Sequence, residues 1–142
     1  MKTLSPLVLI ADDDPDDRDF FRSGMQRLYP DIFLITFSDG MNLLDFLANC
    51  AASDLPDCLL FDYKMPGLMG PDLLQATGPG SRYAPIPKIV WSTSQRKKDI
   101  DECLSLGAAR FADKPVTDAE LNKLLRSLEP FFYPQMVTIP CS

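Results

Sequence analysis

Five short apolar runs punctuate the chain. They are PLVLIA (6–11), IFLITF (32–37), CLLF (58–61), PKIVWS (87–92) and ARFAD (109–113). Each run is continuously apolar rather than alternating with polar residues, which is typical of strands buried on both faces of a parallel sheet. The pattern therefore predicts five buried strands.

Between these runs, apolar residues recur at spacings of three and four, as they do along one face of a helix. The stripes are Phe21, Met25 and Leu28; Leu43, Leu44 and Leu47; Ile100, Leu104 and Gly107; and Leu121, Leu124, Leu125 and Leu128. A short third helix is expected to begin near Pro71, a residue that suits the first helical position. GPG at 78–80 stops it soon afterwards.

Polar residues mark the starts of three helices. TDAE fits a capping box in which Thr117 caps the last helix and Glu120 reaches back to it. Asp39 is the expected cap of the second helix and Asp14 that of the first, with Pro15 as its first residue. The strand and helix patterns thus alternate along the whole chain.

Such an alternation predicts an α/β fold in which a doubly wound parallel sheet lies between two layers of helices. Ligands of such sheets bind at the carboxyl ends of the strands. Asp12 and Asp13 follow the first run, Asp62 the third, Ser92 the fourth and Lys114 the fifth. The fold prediction therefore brings five polar groups to one edge of the sheet.

Composition excludes several functions. The chain has 142 residues, a net charge of −6 and a pI near 4.5, which argues against binding to nucleic acid or to an anionic membrane surface. The apolar stretch 7–11 is too short for a signal peptide core or a membrane span. We therefore expect a single cytoplasmic domain.

Metal and nucleophile chemistry based on histidine or paired cysteines is also excluded. The chain has no histidine, and its four cysteines stand far apart without CxxC spacing: Cys50, Cys58, Cys103 and Cys141. A zinc site, a disulfide framework and a Ser/His/Asp triad are therefore not expected, and the cysteines are interpreted as reduced thiols.

The chemistry expected at the sheet edge is that of a hard cation. Carboxylates without histidine or thiolate ligands suit Mg²⁺, which prefers oxygen ligands and retained waters. A lysine and a hydroxyl facing the cation suit the oxygens of a phosphoryl group, and an aspartate can itself be the attacking nucleophile. Phosphoryl transfer is therefore the predicted reaction.

Four segments carry a resemblance to a known family. LVLIADDDPDD, PDCLLFDYKMPGLMG, IPKIVWSTS and ARFADKPVTDAEL resemble the signature segments of the response-regulator receiver domain of two-component signalling, in the right order and spacing over roughly residues 5–129. The resemblance implies the flavodoxin-like (βα)5 fold with strand order 2-1-3-4-5. It also implies that Asp62 is the phosphoacceptor.

The same resemblance implies a metal site. Asp13 and Asp62 would touch Mg²⁺ directly, the backbone carbonyl of Lys64 would be a further ligand, and Asp12 would act mostly through water. Lys64 is a bulky cation at a position that varies in the family, so we expect it to tune the rate of dephosphorylation. A solvent-facing side chain is the alternative.

Three further positions match residues of the family that handle the phosphoryl group and the switch. Ser92 and Lys114 would hold phosphoryl oxygens, and Phe111 matches the aromatic switch position whose inward turn accompanies movement of Ser92. The bond between Lys114 and the following Pro115 is often cis in such proteins. Phosphorylation would then change the affinity of the domain for a partner.

The resemblance also implies partners. A histidine kinase or phosphotransfer protein would supply the phosphoryl group, and an unknown downstream protein would bind the face formed by residues 100–128. We expect a stand-alone receiver domain over 1–129 and a tail, 130–142, without a fold of its own. That tail would lie on its own surface or contribute to a homodimer.

Two other functions stay open. A receiver-shaped module that binds its partner without phosphorylation is favoured by Lys64 alone. A haloacid-dehalogenase-type phosphatase would use Asp12 as nucleophile and Asp14 as acid, but its fourth acidic motif and its cap domain are missing. A calcium loop of the D-x-D-x-D type fails because Asp17 stands where glycine is needed.

Overall fold

The computed structural model describes residues 5–134, which form five strands and five α-helices. The strands are β1 (Leu7–Ala11), β2 (Phe33–Phe37), β3 (Cys58–Asp62), β4 (Lys88–Ser92) and β5 (Arg110–Asp113). The helices are α1 (Pro15–Leu28), α2 (Gly40–Ala48), α3 (Gly70–Ala76), α4 (Lys97–Ser105) and α5 (Asp118–Phe132), with a 3-10 turn at Ala52–Asp54. Each strand begins and ends within one residue of its apolar run.

The strands form one parallel sheet in the order β2-β1-β3-β4-β5. This confirms the predicted α/β fold and its strand order. All five side chains of β3 and all five of β4 are buried, which accounts for their continuous apolar sequences. The strand order also sets β1 and β3 side by side, so that the polar residues after them are neighbours.

Alternate residues of each strand face two separate cores. Val8, Ile10, Leu60 and Trp91 are among those on the side of α1 and α5, where the apolar stripes of both helices pack. The other side contains Leu9, Leu59, Phe61 and Val90 with apolar residues of α2, α3 and α4. The sheet is thus covered on both faces, as the doubly wound fold requires.

The helix starts follow the prediction. The carboxylate of Asp14 accepts the amide N–H of Asp16 at 2.9 Å, and that of Asp39 accepts the amide N–H of Asn42 at 2.8 Å. At the start of α5, the Thr117 hydroxyl accepts the Glu120 N–H at 3.1 Å, and Glu120 accepts the Thr117 N–H in return. Each contact satisfies a backbone donor that the helix itself leaves without a partner.

The buried face of α4 differs from the predicted stripe. Asp99 and Cys103 are its buried residues, whereas Leu104 is 46% exposed. Gly107 lies beyond the helix with a φ of 105°, a left-handed conformation that glycine adopts without strain. Periodicity predicted the wrong face because Asp99 is buried, with Tyr63 and Arg96 donating to its carboxylate, which leaves Ile100 and Leu104 toward the outer side.

The last helix is longer than expected. It runs through Pro130 to Phe132, so the boundary predicted at 129 lies inside α5. Phe132 is fully buried, and Tyr133 packs against Tyr29 with ring centroids 6.1 Å apart. The first part of the expected tail therefore packs on its own domain, and residues 135–142 lie outside the described part of the chain.

Three smaller expectations have definite outcomes. Every peptide bond of residues 5–134 is trans, so the Lys114–Pro115 bond is not cis; the trans form is the intrinsically favoured one. Cys50, Cys58 and Cys103 are free thiols, and Cys141 lies beyond the described residues. Among the helices of residues 5–134, none combines the length and apolarity needed to cross a membrane.

Candidate functional site

Three aspartates meet where β1 and β3 end. The registry of the two strands pairs Ala11 with Phe61, so the residues that follow them are adjacent. One carboxylate oxygen from each of Asp12, Asp13 and Asp62 lies within 4.8 Å of the other two. The predicted convergence of these carboxylates is therefore present in the structure.

Asp12 is the most enclosed of the three aspartates. It has no exposed surface, its Oδ1 accepts the amide N–H of Asp14 at 2.9 Å, and its Oδ2 lies 2.9 Å from Nζ of Lys114. Burial raises the pKa of Asp12 to about 6, even though the Asp14 amide and Lys114 oppose the shift. Burial thus makes the ionised form of Asp12 costly even though the Lys114 ammonium is nearby.

Asp62 ends β3 and opens into a pocket. It is 7% exposed, its Oδ1 accepts the amide N–H of Lys64 at 3.3 Å, and its Oδ2 accepts from Nζ of Lys114 at 3.0 Å. Burial raises the pKa of Asp62, and Lys114 opposes that rise. Asp62 therefore presents one edge of its carboxylate to the pocket while the lysine holds the other.

Lys114 connects the acidic groups. Its Nζ lies 2.9 Å from Asp12, 3.0 Å from Asp62 and 2.8 Å from Asp17 on α1. Burial alone would lower the pKa of Lys114, but the three carboxylates outweigh it and raise the pKa. Nζ also lies 5.1 Å from the ring centroid of Trp91 on β4, so the indole of Trp91 is close to the charged centre.

The predicted hydroxyl and lysine line the same pocket as Asp62. This pocket has a volume of about 460 Å³, and Asp62, Ser92 and Lys114 contribute to its wall together with Lys64. Ser92 ends β4, is 4% exposed, and its Oγ accepts the amide N–H of Ser94 at 3.0 Å. Lys64 is exposed to solvent and also borders this pocket.

The expected switch residue packs on the residue after Asp62. Phe111 is half-buried, and its ring centroid lies 6.0 Å from that of Tyr63. The Tyr63 hydroxyl donates to Oδ1 of Asp99 at 3.0 Å, and Arg96 pairs with the same carboxylate at 3.1 Å. The Arg96 guanidinium is the main reason why the pKa of Asp99 is lowered.

Glycine allows α3 to start close to this edge of the sheet. Gly70 donates its N–H to the carbonyl of Tyr63 at 2.8 Å, and a Cβ at position 70 would lie 3.0 Å from the Tyr63 Cα. Any larger residue would push the first turn of α3 away from the backbone beside Asp62. The Gly70–Pro71 start of α3 therefore supports the geometry of the pocket.

The donor set fits a small divalent cation. Three carboxylates converge, and the buried Oδ2 of Asp12 has, besides its ion contact with Lys114, no aligned hydrogen-bond partner in residues 5–134. Such hard oxygen ligands suit Mg²⁺ and similar ions. Asp12, Asp13 and Asp62 are thus the candidate metal ligands.

Sequence reasoning missed the contribution of α1 to the site. Asp17, in the first turn of α1, pairs with Lys114. Arg18 donates from Nη1 to the backbone carbonyl of Asp12 at 2.7 Å. Their position one turn into a helix that starts at the site is the signal that was available in the sequence.

Comparison with solved structures supports the fold. The phosphorylated cyanobacterial phytochrome response regulator RcpA superposes with a TM-score of 0.81 at 21% identity, over 96% of this chain and 99% of that one. The Mn²⁺-bound response regulator Rcp1 gives a TM-score of 0.78 at 23% identity with the same coverage of both chains. RPA3017, a response regulator in red light signaling of R. palustris, gives 0.81 at 26% identity, also over 96% of this chain and 99% of its own.

Sequence comparison identifies the family. The two-component response regulator ARR9 of Arabidopsis thaliana is 31% identical over 134 residues, covering 82% of this chain and 56% of that protein. ORR1 of Oryza sativa is 29% identical over 121 residues, covering 82% of this chain and 52% of its own length. This chain thus spans a little more than half the length of these relatives. The family model of the response regulator receiver domain matches residues 8–126, and the chain therefore belongs to the receiver-domain family of two-component response regulators.

Proposed function

We propose that this domain accepts a phosphoryl group on Asp62 and uses it to switch the binding of a partner. The observation that carries the proposal is that one pocket beside the acidic pair is lined by Asp62 and Ser92, which end β3 and β4, and by Lys114, which directly follows β5. The donor would be the phosphohistidine of a histidine kinase or phosphotransfer protein. The domain is then regulatory, with self-phosphorylation and self-dephosphorylation as its sole chemistry.

In the transfer, a carboxylate oxygen of Asp62 attacks the phosphorus atom of the phosphohistidine. The new bond joins this oxygen to phosphorus, while the phosphorus–nitrogen bond breaks and the imidazole leaves with its electron pair. Asp62 must be ionised to attack, and the Lys114 ammonium at 3.0 Å favours that form against the effect of burial. Lys114 thus activates the nucleophile before transfer.

Ser92 and Lys114 then hold the product. The hydroxyl of Ser92 and the ammonium of Lys114 both border the pocket into which the phosphoryl group projects. Each is a hydrogen-bond donor that can face a phosphoryl oxygen. Lys64 borders the same pocket, and we expect its cation to tune the rate of hydrolysis.

Asp12, Asp13 and Asp62, together with the backbone carbonyl of Lys64, are the residues that would hold Mg²⁺. When bound, the cation neutralises charge that accumulates on the phosphoryl oxygens. Arg18 fixes the backbone of Asp12 and so orients the acidic pair. The three carboxylates lie within 4.8 Å of one another, so a bound cation would also reduce the repulsion between them.

The switch would shift a pre-existing equilibrium rather than build a new structure. Movement of Ser92 toward the phosphoryl group opens space that Phe111 turns into, which changes the face formed by residues 100–128. Ile100 is half-buried and Leu104 is 46% exposed on that face. Apolar side chains that α4 leaves uncovered are suited to a downstream protein partner, and the domain would meet such partners in the cytoplasm.

Intact mass spectrometry tests the phosphoacceptor proposal. Wild-type protein incubated with Mg²⁺ and acetyl phosphate is expected to gain the mass of one phosphoryl group, and Asp62→Asn is expected to gain none. Asp45→Asn on α2 is the matched control, because Asp45 is exposed and removed from the site. This variant should be modified like the wild type.

Three results would contradict the proposal: no adduct on the wild type, an equal adduct on Asp62→Asn, or an adduct that forms equally well with EDTA present. The first would favour an interaction module that works without phosphorylation. Turnover of a phosphomonoester would favour the phosphatase alternative.

A further inference from the structure

The side chains of Lys114 and Asp62 meet across an intervening strand. Lys114 follows β5 and Asp62 ends β3, and β4 lies between these two strands in the sheet. Neighbouring strands are about 4.8 Å apart, so the two side chains bridge a gap of roughly 10 Å. Nζ of Lys114 nevertheless lies 3.0 Å from Oδ2 of Asp62. The residue of β4 at this level of the sheet therefore influences where the ammonium lies.

Trp91 is the residue of β4 at this level. It pairs in register with Asp62 on one side and with Ala112 of β5 on the other. Nζ of Lys114 lies over the indole ring, 5.1 Å from its centroid. The face of an aromatic ring carries negative charge density and attracts an ammonium within about 6 Å. Because the Lys114 side chain is 10% exposed, little water competes for this contact.

The indole is held in place by the core beneath it. Trp91 is 1% exposed, and the ring of Phe21 on α1 packs against it in a T-shaped arrangement with centroids 5.4 Å apart. Nε1 of Trp91 has no hydrogen-bond partner among residues 5–134. No hydrogen bond to these residues therefore accounts for a tryptophan at this position, whereas its ring face contacts a charged group.

The carboxylates around the ammonium do not by themselves confine it to the side of Asp62. Nζ donates to Asp62 at 3.0 Å and to Asp17 on α1 at 2.8 Å, and Oδ2 of Asp12 lies 2.9 Å away. Asp12 and Asp62 are also candidate metal ligands, so a bound cation would share their negative charge. The indole is neutral and is not a metal ligand. Its attraction for the ammonium is therefore independent of the metal.

We propose that Trp91 is a positioning residue that holds the Lys114 ammonium beside Asp62 through its ring face. The contact stabilises the folded domain even in the absence of metal, and it keeps the ammonium where the nucleophile needs it. The first consequence is independent of phosphorylation. The second rests on the proposed function of Asp62.

Fluorinated tryptophan tests the contact without any change in the sequence. Trp91 is the single tryptophan of the chain, so biosynthetic incorporation of mono-, di- or trifluorotryptophan alters this one ring. Fluorine withdraws electron density from the ring face with little change in shape, which weakens the attraction for a cation. In metal-free buffer, the equilibrium constant for unfolding by urea should rise with each fluorine, to about fivefold in the trifluoro protein.

Lys114→Met is the matched control, because methionine keeps an apolar side chain beside the ring and lacks the ammonium. Fluorination should leave the unfolding equilibrium constant of this variant unchanged. An equal rise in both proteins would overturn the proposal, since the effect would then be one of packing. No rise in the protein with Lys114 would overturn it as well.

The rate of phosphoryl uptake tests the positioning role. With Mg²⁺ at saturation, adduct formation from acetyl phosphate should slow in the order of fluorine number, to about one fifth of the unlabelled rate in the trifluoro protein. This series contains no substitution, so it provides the test if Lys114→Met does not fold. Equal rates across the series, with normal uptake by the unlabelled protein, overturn the positioning role.

The two measurements separate this inference from the proposed function. No uptake by the unlabelled protein contradicts the proposed function, and with it the role of Trp91 in transfer. The unfolding comparison is made without metal or phosphodonor, so it still supports or overturns the contact between Trp91 and Lys114.

Discussion

Two lysines with little exposed surface lie at opposite ends of the sheet and have opposite surroundings. Lys88 begins β4 and donates from Nζ to the carbonyls of Tyr83 and Ala84 at 2.7 and 3.1 Å. Lys114 follows β5 and contacts three carboxylates. Burial lowers the pKa of Lys88, whereas the carboxylates outweigh burial and raise that of Lys114.

The difference shows that a poorly exposed lysine can be held by neutral acceptors at one edge of the sheet and by charged acceptors at the other. Neutral carbonyls hold the Lys88 ammonium in place and tie the segment before β4 to the strand. The carboxylates around Lys114 carry charge that a cation or a phosphoryl group can redistribute. The Lys88 contacts at the amino edge of the sheet thus join two segments of the chain. At the carboxyl edge, Lys114 and the three carboxylates form a charge cluster.

Lys114→Met should produce the largest change in stability. In Mg²⁺-free buffer, removal of the ammonium leaves neighbouring carboxylates in a poorly solvated site, and unfolding by urea should show a loss of about 3 kcal/mol. Addition of Mg²⁺ should restore part of that loss. An unchanged urea midpoint without Mg²⁺ would show that the carboxylates do not depend on Lys114.

Asp12 predicts a pH dependence of the metal-free protein. Its pKa is raised from 3.8 to about 6, so the folded state binds the proton more tightly than the unfolded chain. The contribution of Asp12 to the free energy of unfolding is therefore fully present below about pH 4. It is lost as the pH rises through 6, which lowers the free energy of unfolding by up to about 3 kcal/mol. The free energy of unfolding of Asp12→Asn should not fall in this way, because asparagine does not titrate.

Urea unfolding of the wild type and Asp12→Asn from pH 4 to pH 7 measures that difference directly. If the free energies of unfolding of the two proteins changed equally with pH over this range, the raised pKa of Asp12 would be contradicted. Mg²⁺ should abolish the fall in the wild type, because the cation stabilises the ionised carboxylate.

Lys88→Met should have a smaller effect, confined to stability. The methionine side chain fills similar volume but leaves the two carbonyls without their donor, for a loss of about 1–2 kcal/mol. Phosphoryl uptake on Asp62 should be unchanged. If Lys88→Met altered phosphoryl uptake as strongly as Lys114→Met, the proposed difference between a structural amino edge and a chemically active carboxyl edge would be wrong.

Tyr63→Phe should have the smallest effect. It removes a hydrogen bond to Asp99 whose carboxylate keeps its pairing with Arg96, so the loss in stability should be about 1 kcal/mol. Thr117→Val, which removes the hydroxyl that accepts the Glu120 N–H at the start of α5, serves as a comparison for loss of a hydrogen bond elsewhere in the domain. A change in amide exchange along α4 specific to Tyr63→Phe would show that the site and α4 are linked through Asp99.

Much of the fold and of the site was predictable from sequence. Buried parallel strands appear as continuous apolar runs, and polar residues directly after such runs are brought to one edge by the topology alone. Asp12, Asp62, Ser92 and Lys114 were found in this way, without any knowledge of side-chain contacts. Their roles in phosphoryl transfer remain predictions that the experiments above test.

Other features depend on contacts that periodicity does not contain. Asp99 is buried on α4 because Tyr63 and Arg96 satisfy its carboxylate. Asp17 pairs with Lys114, which is 97 positions away. A single sequence shows neither partner, so the predicted face of α4 was wrong and Asp17 was not among the predicted site residues.

The end of α5 illustrates a third limit. Proline usually interrupts a helix because it lacks the backbone donor, yet α5 continues through Pro130, past the domain boundary expected at 129. In the structure Pro130 lies on the exposed side of α5, while Phe132 is fully buried two residues later. Burial of the aromatic side chain outweighs the lost hydrogen bond, which tertiary structure alone reveals.

Chemical mapping of the acceptor is the most direct test of the central claim. Borohydride reduces an aspartyl phosphate to homoserine, so wild-type protein treated with acetyl phosphate and Mg²⁺ and then with borohydride is expected to carry homoserine at position 62. The peptides that contain Asp12 and Asp13 should be unchanged. Homoserine at position 12 would contradict the account in favour of a phosphatase-like nucleophile, and its absence from all three positions would contradict phosphoryl transfer to this site.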